Sequence, residues 1–408
     1  MLKTVWILNH YAQEPGGPGG TRHYSLARHL TDNNWRSVVI AASTEYNTGR
    51  QRLASHERTR LETFDGVPFL WIRDPTYNGN SIGRLVNMLT YSWRSWLPTT
   101  THGLPRPDVV IGSSVHPFAA VAGLLIARQF GVPFVFEVRD LWPQTLIDMG
   151  KLSSTGIPAR LMKSLEKWLY RNAARIIVLL PHAQDYIVPL GISINKIVYI
   201  PNGVEVGEIP IPANQSNAFT LMYFGAHGQA NGLENVLQAL HHLNLHNDKG
   251  LTICLRLIGD GPVKPRLIKI AEELKLTNVS FEPPVSKNAI SKLASSADAF
   301  IFNLIDADVF KYGISSNKLF DYFAASRPII FCCNAGNNPV AESNSGITVA
   351  PNNPEALANA IATLASLPIA ERTRMGAAGF EFVKANHSFA LLAKRLAVVL
   401  NEISPVIK

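Results

Sequence analysis

One pattern occurs twice in this chain and indicates its fold: LYRNAARIIVLL at residues 169–180 and LASSADAFIFNL at residues 293–304. Each stretch starts as the end of a helix, passes through a turn of small residues and continues into an apolar run typical of a buried strand. Helices that alternate with fully buried strands are typical of parallel sheets covered on both faces. The pattern therefore predicts an α/β architecture in both halves of the chain.

Apolar runs of strand length recur on either side of a Pro-, Asn- and Gly-rich segment, residues 199–219. The first series is TVWILN (4–9), SVVIAA (37–42), FLWIR (69–73), VVIGSS (109–114), FVFEVRD (134–140), IIVLL (176–180) and KIVYI (196–200). The second is FTLMYFG (219–225), LTICLRLIGDG (251–261), NVSFEPP (278–284), DAFIFNLI (298–305), RPIIFCC (327–333) and GITVA (346–350). We predict two Rossmann-like, doubly wound domains, 1–203 and 204–387, with a final amphipathic helix, about 388–408, able to pack back on the first.

Composition narrows the class of protein. The 408 residues are 47% apolar and 17% charged, which predicts a chain that folds throughout. A net charge of +8 favours an anionic partner, but the basic residues are scattered, with no basic run interleaved with aromatics, so no nucleic acid is expected. Cys254, Cys332 and Cys333 lie in apolar runs and suit neither disulfides nor zinc. Without a signal-peptide pattern or a spanning run, we expect a cytoplasmic protein, with association at the inner face of the membrane left open.

The most specific chemical pattern is GISSNKLFDYFAASRPII at residues 313–330. Ser316 and Asn317 stand where a helix would be capped, and the N–H groups and positive dipole end of such a helix suit a diphosphate. Lys318 would add a cation, and Asp321 could accept hydrogen bonds from ribose hydroxyls. The alternative is an ordinary amphipathic helix with a solvated Lys and Asp.

Five motifs in order resemble the glycosyltransferase family 4 group of the GT-B fold, particularly its bacterial polysaccharide and lipid-linked oligosaccharide members. They are EVRDLWPQTLIDMG (137–150), IPNGVE (200–205), FGAHGQANGLENVLQAL (224–240), LIGDGPVKPRL (257–267) and SSNKLFDYFAASRPII (315–330). The resemblance spans nearly the whole chain and implies two facing Rossmann-like domains with a cleft between them. It also implies a retaining hexosyl or N-acetylhexosaminyl transferase, with a UDP-linked donor, a glycan or polyprenyl-linked acceptor, and no metal or other cofactor.

The same resemblance implies a donor site in the second half. Its candidate residues are Gly225, Gly259, Asp260, Gly261, Pro284, Ser316, Asn317, Lys318, Leu319 and Asp321. The helix near Ser316 would hold the diphosphate, Asp321 the ribose, and the GDGP turn the nucleotide.

The chain departs from the family at two points of that site. Many relatives carry two glutamates eight positions apart, where this chain has Gly313 and Asp321, so Lys311, Tyr312 or backbone amides would recognise the donor sugar instead. The family's Arg and Lys after the first strand of the second domain are also missing. His227, Gln229 and Asn231 lie there instead, so Lys318 is expected to carry more of the charge.

Candidate catalytic residues lie in the first half. FEVRDLWPQ (136–144) places Glu137, Arg139 and Asp140 at a strand's carboxyl end, where relatives meet the reacting sugar, and we predict catalytic roles for Asp140 and Arg139. The alternative is an Arg139–Asp140 pair that orders the loop. His116, in SSVHPF (113–118), could orient an acceptor or act as an acid or base, or could simply pack or cap a helix.

The glycine-rich stretch EPGGPGGTRHYSLARHL, residues 14–30, does not match a dinucleotide fingerprint. From Gly17, the GxGxxG pattern fails at its sixth position, Arg22. In a GT-B protein, Gly19 and Gly20 would instead approach the donor's phosphates as a lid. Arg22 and His23 would add charge there or simply begin the helix.

Other functions remain open from sequence alone. They are a nucleotide-sugar epimerase on the same architecture, a Rossmann dinucleotide-dependent oxidoreductase and a non-catalytic sugar-binding relative. A further question concerns GRLVNMLTYSWRSWLP, residues 83–98, which mixes arginines with aromatic and aliphatic residues. Such a stripe suits either a membrane interface near a lipid acceptor or ordinary core packing.

Overall fold

The computed structural model describes residues 2–17, 20–45, 49–77, 79, 82–209, 218–246, 250–286 and 289–404. The chain divides into two compact units. The N-unit comprises Met1–Asn202 and Phe389–Lys408, and the C-unit comprises Gly203–Ser388. The last helix therefore belongs to the N-unit.

Strands and helices alternate along most of the chain. The strands are β1 (Lys3–Leu8), β2 (Trp35–Ala42), β3 (Thr59–Phe64), β4 (Val67–Ile72), β5 (Val109–Ser114), β6 (Phe134–Val138), β7 (Arg175–Val178), β8 (Ile197–Tyr199), β9 (Phe219–Phe224), β10 (Ile253–Ile258), β11 (Val279–Glu282), β12 (Ala299–Asn303), β13 (Ile329–Cys332) and β14 (Gly346–Val349). The helices are α1 (Arg22–Leu30), α2 (Ile82–Trp96), α3 (Pro117–Phe130), α4 (Gln144–Asp148), α5 (Ile157–Asn172), α6 (Gln184–Ile187), α7 (Leu233–Leu245), α8 (Lys264–Glu273), α9 (Ile290–Ala294), α10 (Asn317–Ala324), α11 (Pro339–Glu342), α12 (Pro354–Ser366), α13 (Ile369–His387) and α14 (Phe389–Ile403).

The N-unit is built on a sheet with strand order β3-β4-β2-β1-β5-β6-β7-β8. Neighbouring strands are parallel except β3 and β4, which pair antiparallel. Side chains of β1 cover both faces: Val5 and Ile7 pack in one cluster with residues of α1 and α14, and Trp6 contacts Phe130 of α3 at 5.2 Å between ring centroids. Helices thus cover this sheet on both faces, as the apolar runs predict.

The C-unit is built on a parallel sheet with strand order β11-β10-β9-β12-β13-β14. Numbered within the unit, this order is 3-2-1-4-5-6, that of a dinucleotide-binding Rossmann fold. Leu221 and Tyr223 of β9 pack towards α7, α8 and α12, whereas Met222 and Phe224 pack towards α10. The strand order reverses between β9 and β12, and ligands of such sheets bind beyond the carboxyl ends of strands at that point.

Candidate functional site

Helix α10 begins just beyond the reversal of strand order in the C-unit. Ser316 precedes it in an extended conformation, and its hydroxyl makes no capping hydrogen bond, so this side chain does not occupy the N–H groups of the first turn. The preceding short 3₁₀ turn ends at Gly313, whose φ is +97°, and from there the chain leads to Ser316 and the start of α10. Leu319 is in the hydrophobic core, so only its backbone is available for the predicted contact with a ligand.

Lys318 is half-buried and held, not mobile. Its Nζ donates to the Tyr223 hydroxyl at 3.1 Å and to Asn231 Oδ1, and lies above the rings of Tyr223 and Phe302. Burial lowers the pKa of Lys318 to about 7. Asn231 lies where, by the resemblance, relatives carry a basic residue that binds the diphosphate. In this chain Asn231 instead holds Lys318 of α10 in position.

Two glycine turns line the same edge of the sheet and pack backbone against backbone. A Cβ at Gly259 would lie 1.9 Å from the Gly225 carbonyl oxygen, and one at Gly261 would lie 2.4 Å from that of His227. The His227 N–H donates to the Asp260 carbonyl at 2.8 Å, which ties the turns together. Any larger side chain at Gly259 or Gly261 would separate them.

His227 lies within this packed pair of turns with its side chain fully buried. Neither ring nitrogen has a hydrogen-bond partner in the described part of the chain. Burial and the nearby Lys264 lower the pKa of His227 to about 4. Buried polar groups are normally paired, so an unpaired imidazole at a strand-end turn indicates a place where a ligand or water supplies the partner.

The remaining predicted donor residues lie around these groups. Asp260 and Pro284 are exposed at the ends of β10 and β11, and Asp321 is half-buried on α10. A pocket of about 570 Å³ adjoins the turn after β9 and is lined by polar groups that include Gln229, Asn235 and Arg266.

In the N-unit, Glu137 belongs to a buried ion-pair network. Its carboxylate accepts from Arg22 Nε at 2.9 Å, His23 Nε2 at 2.7 Å and Ser113 Oγ at 2.5 Å. Burial alone would raise the pKa of Glu137, but the charges of Arg22, His23 and Arg139 outweigh it and hold the pKa well below its usual value. Of the two alternatives for Arg22 and His23, the structure favours the second: both residues begin α1, and Glu137 engages both side chains.

The other N-unit candidates differ in how exposed they are. Arg139 is half-buried and Asp140 is exposed after β6. His116 is buried and precedes α3. Gly20 is half-buried, whereas Gly19 lies outside the described residues.

Sequence patterns did not predict His10, the partner of His116, or Asp74, the partner of His10. His10 Nδ1 lies 2.6 Å from His116 Nε2, and His10 Nε2 lies 3.4 Å from Asp74 Oδ2. Each of the three is the second residue after a strand of the same sheet, β1, β5 or β4. That shared position is the sequence feature that could have identified them.

Two structural features are absent from the described residues. No helix in them is both long and apolar enough to cross a bilayer. Nor do they contain a group of three His, Cys, Asp or Glu side chains that could hold a metal ion.

Comparisons with known proteins cover both units. A glycosyl transferase 4-like domain model matches residues 17–203, and a glycosyl transferases group 1 model matches residues 218–366. WcaI of Escherichia coli K12, which is named as a colanic acid biosynthesis glycosyl transferase, is 23% identical over 281 residues, 65% of this chain and 68% of WcaI.

Two solved structures share the fold over nearly the full chain. Sucrose-phosphate synthase of Thermosynechococcus elongatus aligns with a TM-score of 0.75 and 17% identity, covering 98% of each chain. Anabaena HepE, solved in complex with UDP-glucose, aligns with a TM-score of 0.68 and 15% identity, covering 98% of this chain and 99% of HepE. At such identities the likeness shows the fold.

Proposed function

Because the chain belongs to the GT-B glycosyltransferases built from a 4-like domain and a group 1 domain, we propose that it transfers a sugar from a UDP-linked donor to a hydroxyl of a glycan or polyprenyl-linked acceptor. The proposal includes a hexosyl or N-acetylhexosaminyl donor, retention of the anomeric configuration, and a role in cell-surface polysaccharide synthesis, as the name of WcaI suggests. HepE, whose structure contains UDP-glucose, supports the choice of nucleotide.

The main observation in support of the proposal is the position of Lys318. Its ammonium group stands in the first turn of α10, at the reversal of strand order, and a Cβ at Gly225 would lie 3.3 Å from its side chain. A cation beside uncapped helix N–H groups suits the diphosphate of a nucleotide sugar.

These groups fit the chemistry of the proposed transfer. The bond between the sugar's anomeric carbon and the diphosphate breaks, a bond to the acceptor oxygen forms, and the proton of the acceptor hydroxyl passes to an oxygen of the leaving diphosphate. Negative charge then grows on the leaving diphosphate, where Lys318 and the first turn of α10 would stabilise it. With these groups supplying positive charge, the proposed reaction needs no metal ion. Asp321 would hold the ribose, and His227 would add a hydrogen bond to the nucleotide.

Helix α2 supports a further part of the proposal, peripheral contact with an anionic bilayer. Its outer face exposes a stripe at helical spacing: Ile82, Leu85, Val86, Leu89, Trp93 and Trp96. The opposite face is buried through Asn87, Met88, Tyr91, Ser92 and Ser95. The helix carries Arg84 and Arg94 and no acidic residue, so its charge complements anionic lipid. Such contact would bring the enzyme to a lipid-linked acceptor at the inner face of the membrane.

The function is tested by incubating the protein with a panel of UDP-hexoses and UDP-N-acetylhexosamines, with and without polyprenyl-linked saccharide acceptors. Acceptor-dependent release of UDP with a new glycosidic bond supports the proposal. An epimerised donor formed without acceptor would identify an epimerase, and binding without any turnover would identify a sugar-binding relative. The anomeric configuration of the product, read by NMR, decides between retention and inversion.

A further inference from the structure

Four neighbouring strands of the N-unit sheet are each followed by a polar residue at the second position after the strand ends. They are Asp74 after β4, Thr44 after β2, His10 after β1 and His116 after β5. Carboxyl ends of parallel strands meet at one edge of a sheet, so the four lie together. Asp74, His10 and His116 form a buried chain, each at most 2% exposed.

Asp74 acts only as a hydrogen-bond acceptor. Its oxygens accept from the Thr44 N–H and hydroxyl, both at 2.9 Å, from Ser43 Oγ at 3.2 Å, and from Asn87 Nδ2. A carboxylate surrounded by donors presents lone pairs to His10. The nitrogen of His10 that faces it, Nε2, therefore carries the proton.

The protonation of one ring nitrogen determines that of the next. The His10 ring is held between Tyr11 and Tyr91, at centroid distances of 4.3 and 4.5 Å, so it keeps Nδ1 directed at His116. With its proton on Nε2, neutral His10 offers a lone pair at Nδ1. His116 must then donate from Nε2, which leaves its own Nδ1 without a proton.

His116 stays neutral in this position. Burial, His10 and Arg84 hold its pKa well below the usual value, and burial lowers the pKa of His10 as well. The positive end of α3, which begins at the next residue, further disfavours a charged imidazole. Tyr11, Tyr91 and Asp74 are the other ionisable groups facing the pair, with Asp74 separated from His116 by the His10 ring.

His116 Nδ1 is buried and has no hydrogen-bond partner among the described residues. We infer that Asp74 and His10 are positioning residues that lock His116 as a proton acceptor, and that its Nδ1 receives a hydrogen bond from a sugar hydroxyl of the substrate. A neutral lone pair suits a hydroxyl donor and not a phosphate oxygen. The choice of a sugar hydroxyl as the ligand rests on the proposed function, whereas the inferred tautomers of His10 and His116 do not.

The inferred tautomers of His10 and His116 are tested by ¹⁵N NMR of protein labelled at histidine, because this measurement distinguishes protonated from unprotonated ring nitrogens. In the wild type, both His10 and His116 should be protonated at Nε2. Asp74→Asn should place an amide N–H opposite His10 and reverse both tautomers, so that His116 becomes a donor at Nδ1. Ser43→Ala, which removes another hydrogen bond to Asp74, should leave both tautomers unchanged. Protonation of His116 at Nδ1 in the wild type, or unchanged tautomers in folded Asp74→Asn, would overturn the inference.

The ligand is tested on the same sample with UDP, UDP-glucose and octyl glucoside. A shift of the His116 Nδ1 resonance with UDP-glucose but not UDP assigns the hydroxyl to the donor sugar, and a shift with octyl glucoside assigns it to the acceptor. No shift with any probe, at concentrations that calorimetry shows to be saturating, overturns the ligand assignment. Asp74→Asn should also lower kcat/KM about 10- to 100-fold. If the tautomers are as inferred but the protein transfers no sugar, the proposed function is refuted, whereas the inference about Asp74, His10 and His116 still holds.

Discussion

Lys318 and Tyr223 form a cation–aromatic pair at the start of α10, with Nζ 4.6 Å from the ring centroid and 3.1 Å from the hydroxyl. The aromatic face stabilises the ammonium without neutralising it, because the ring contributes no formal charge. Burial nevertheless lowers the pKa of Lys318 to about 7, so near neutral pH only part of the free protein carries this cation.

We expect Lys318→Met to weaken binding of UDP-glucose about 10- to 100-fold, because a charge-assisted hydrogen bond to the diphosphate is lost. Lys269→Met removes an exposed lysine of the same unit and serves as the control. Calorimetry measures both. Equal affinity of the Lys318 variant and the control would refute the diphosphate role.

The same residue makes donor binding depend on pH. Lys318 is charged below its pKa of about 7 and loses that charge as the pH rises. The affinity of the wild type for UDP-glucose should therefore fall between pH 6 and pH 9 and approach that of Lys318→Met, whose affinity should be flat. UDP-glucose is preferable to UDP here, because a terminal phosphate itself ionises near pH 6. A wild-type affinity that rises over this range would contradict the role.

Asp321→Ala should weaken binding of UDP about 10-fold, because hydrogen bonds from the ribose hydroxyls are lost. The sharper measurement compares UDP with its 2′,3′-dideoxy analogue. The wild type should prefer UDP, and Asp321→Ala should bind the two equally. Glu381→Ala, the same charge change on α13, should keep the wild-type preference. A preference retained in Asp321→Ala would assign the ribose to other groups.

The stripe on α2 predicts binding to vesicles. Trp93 is 58% exposed, so Trp93→Ser should weaken partitioning onto vesicles of mixed phosphatidylglycerol and phosphatidylcholine about 10-fold, measured by sedimentation. Leu245→Ser, at an apolar residue of the C-unit that is 66% exposed, should have no effect. Binding that is the same for both variants would exclude α2 as the contact.

The sheets could be predicted from sequence because their strands are continuous apolar runs. The sequence pattern does not predict β3, because its residues are exposed or half-buried, with Leu61 facing solvent, although Asp65-Gly66 is a hairpin turn signal. Its pairing with β4 depends on cross-strand contacts rather than on its own pattern.

Only those parts of the candidate site that depend on residues adjacent in sequence could be predicted. The turn and helix around Lys318 follow from adjacent residues, but its partner Tyr223 is 95 positions away and is brought there by the sheet. Arg22 shows the opposite outcome. Its position after a glycine-rich loop suggests a phosphate ligand, yet a carboxylate 115 positions away engages it.

Arg22 therefore predicts an effect on stability. It is 1% exposed, donates to Glu137 at 2.9 Å and to the Ile200 carbonyl at 2.8 Å, and also donates to the Pro201 carbonyl. Arg22→Met would leave Glu137 buried with one cation fewer and two carbonyls unpaired, which should cost about 3–5 kcal/mol.

Urea unfolding followed by tryptophan fluorescence isolates this effect, because all seven tryptophans lie in the N-unit. The unfolding midpoint should fall strongly in Arg22→Met. Arg50→Met, which removes a largely exposed arginine from Glu45 while Arg52 still pairs with that carboxylate, should lower it far less. Since the network also holds Ile200 and Pro201, the residues just before the C-unit begins, its loss should increase amide hydrogen exchange there before global unfolding. A midpoint unchanged in Arg22→Met would mean that the pair contributes no net stability and would return Arg22 to consideration as a ligand-binding residue.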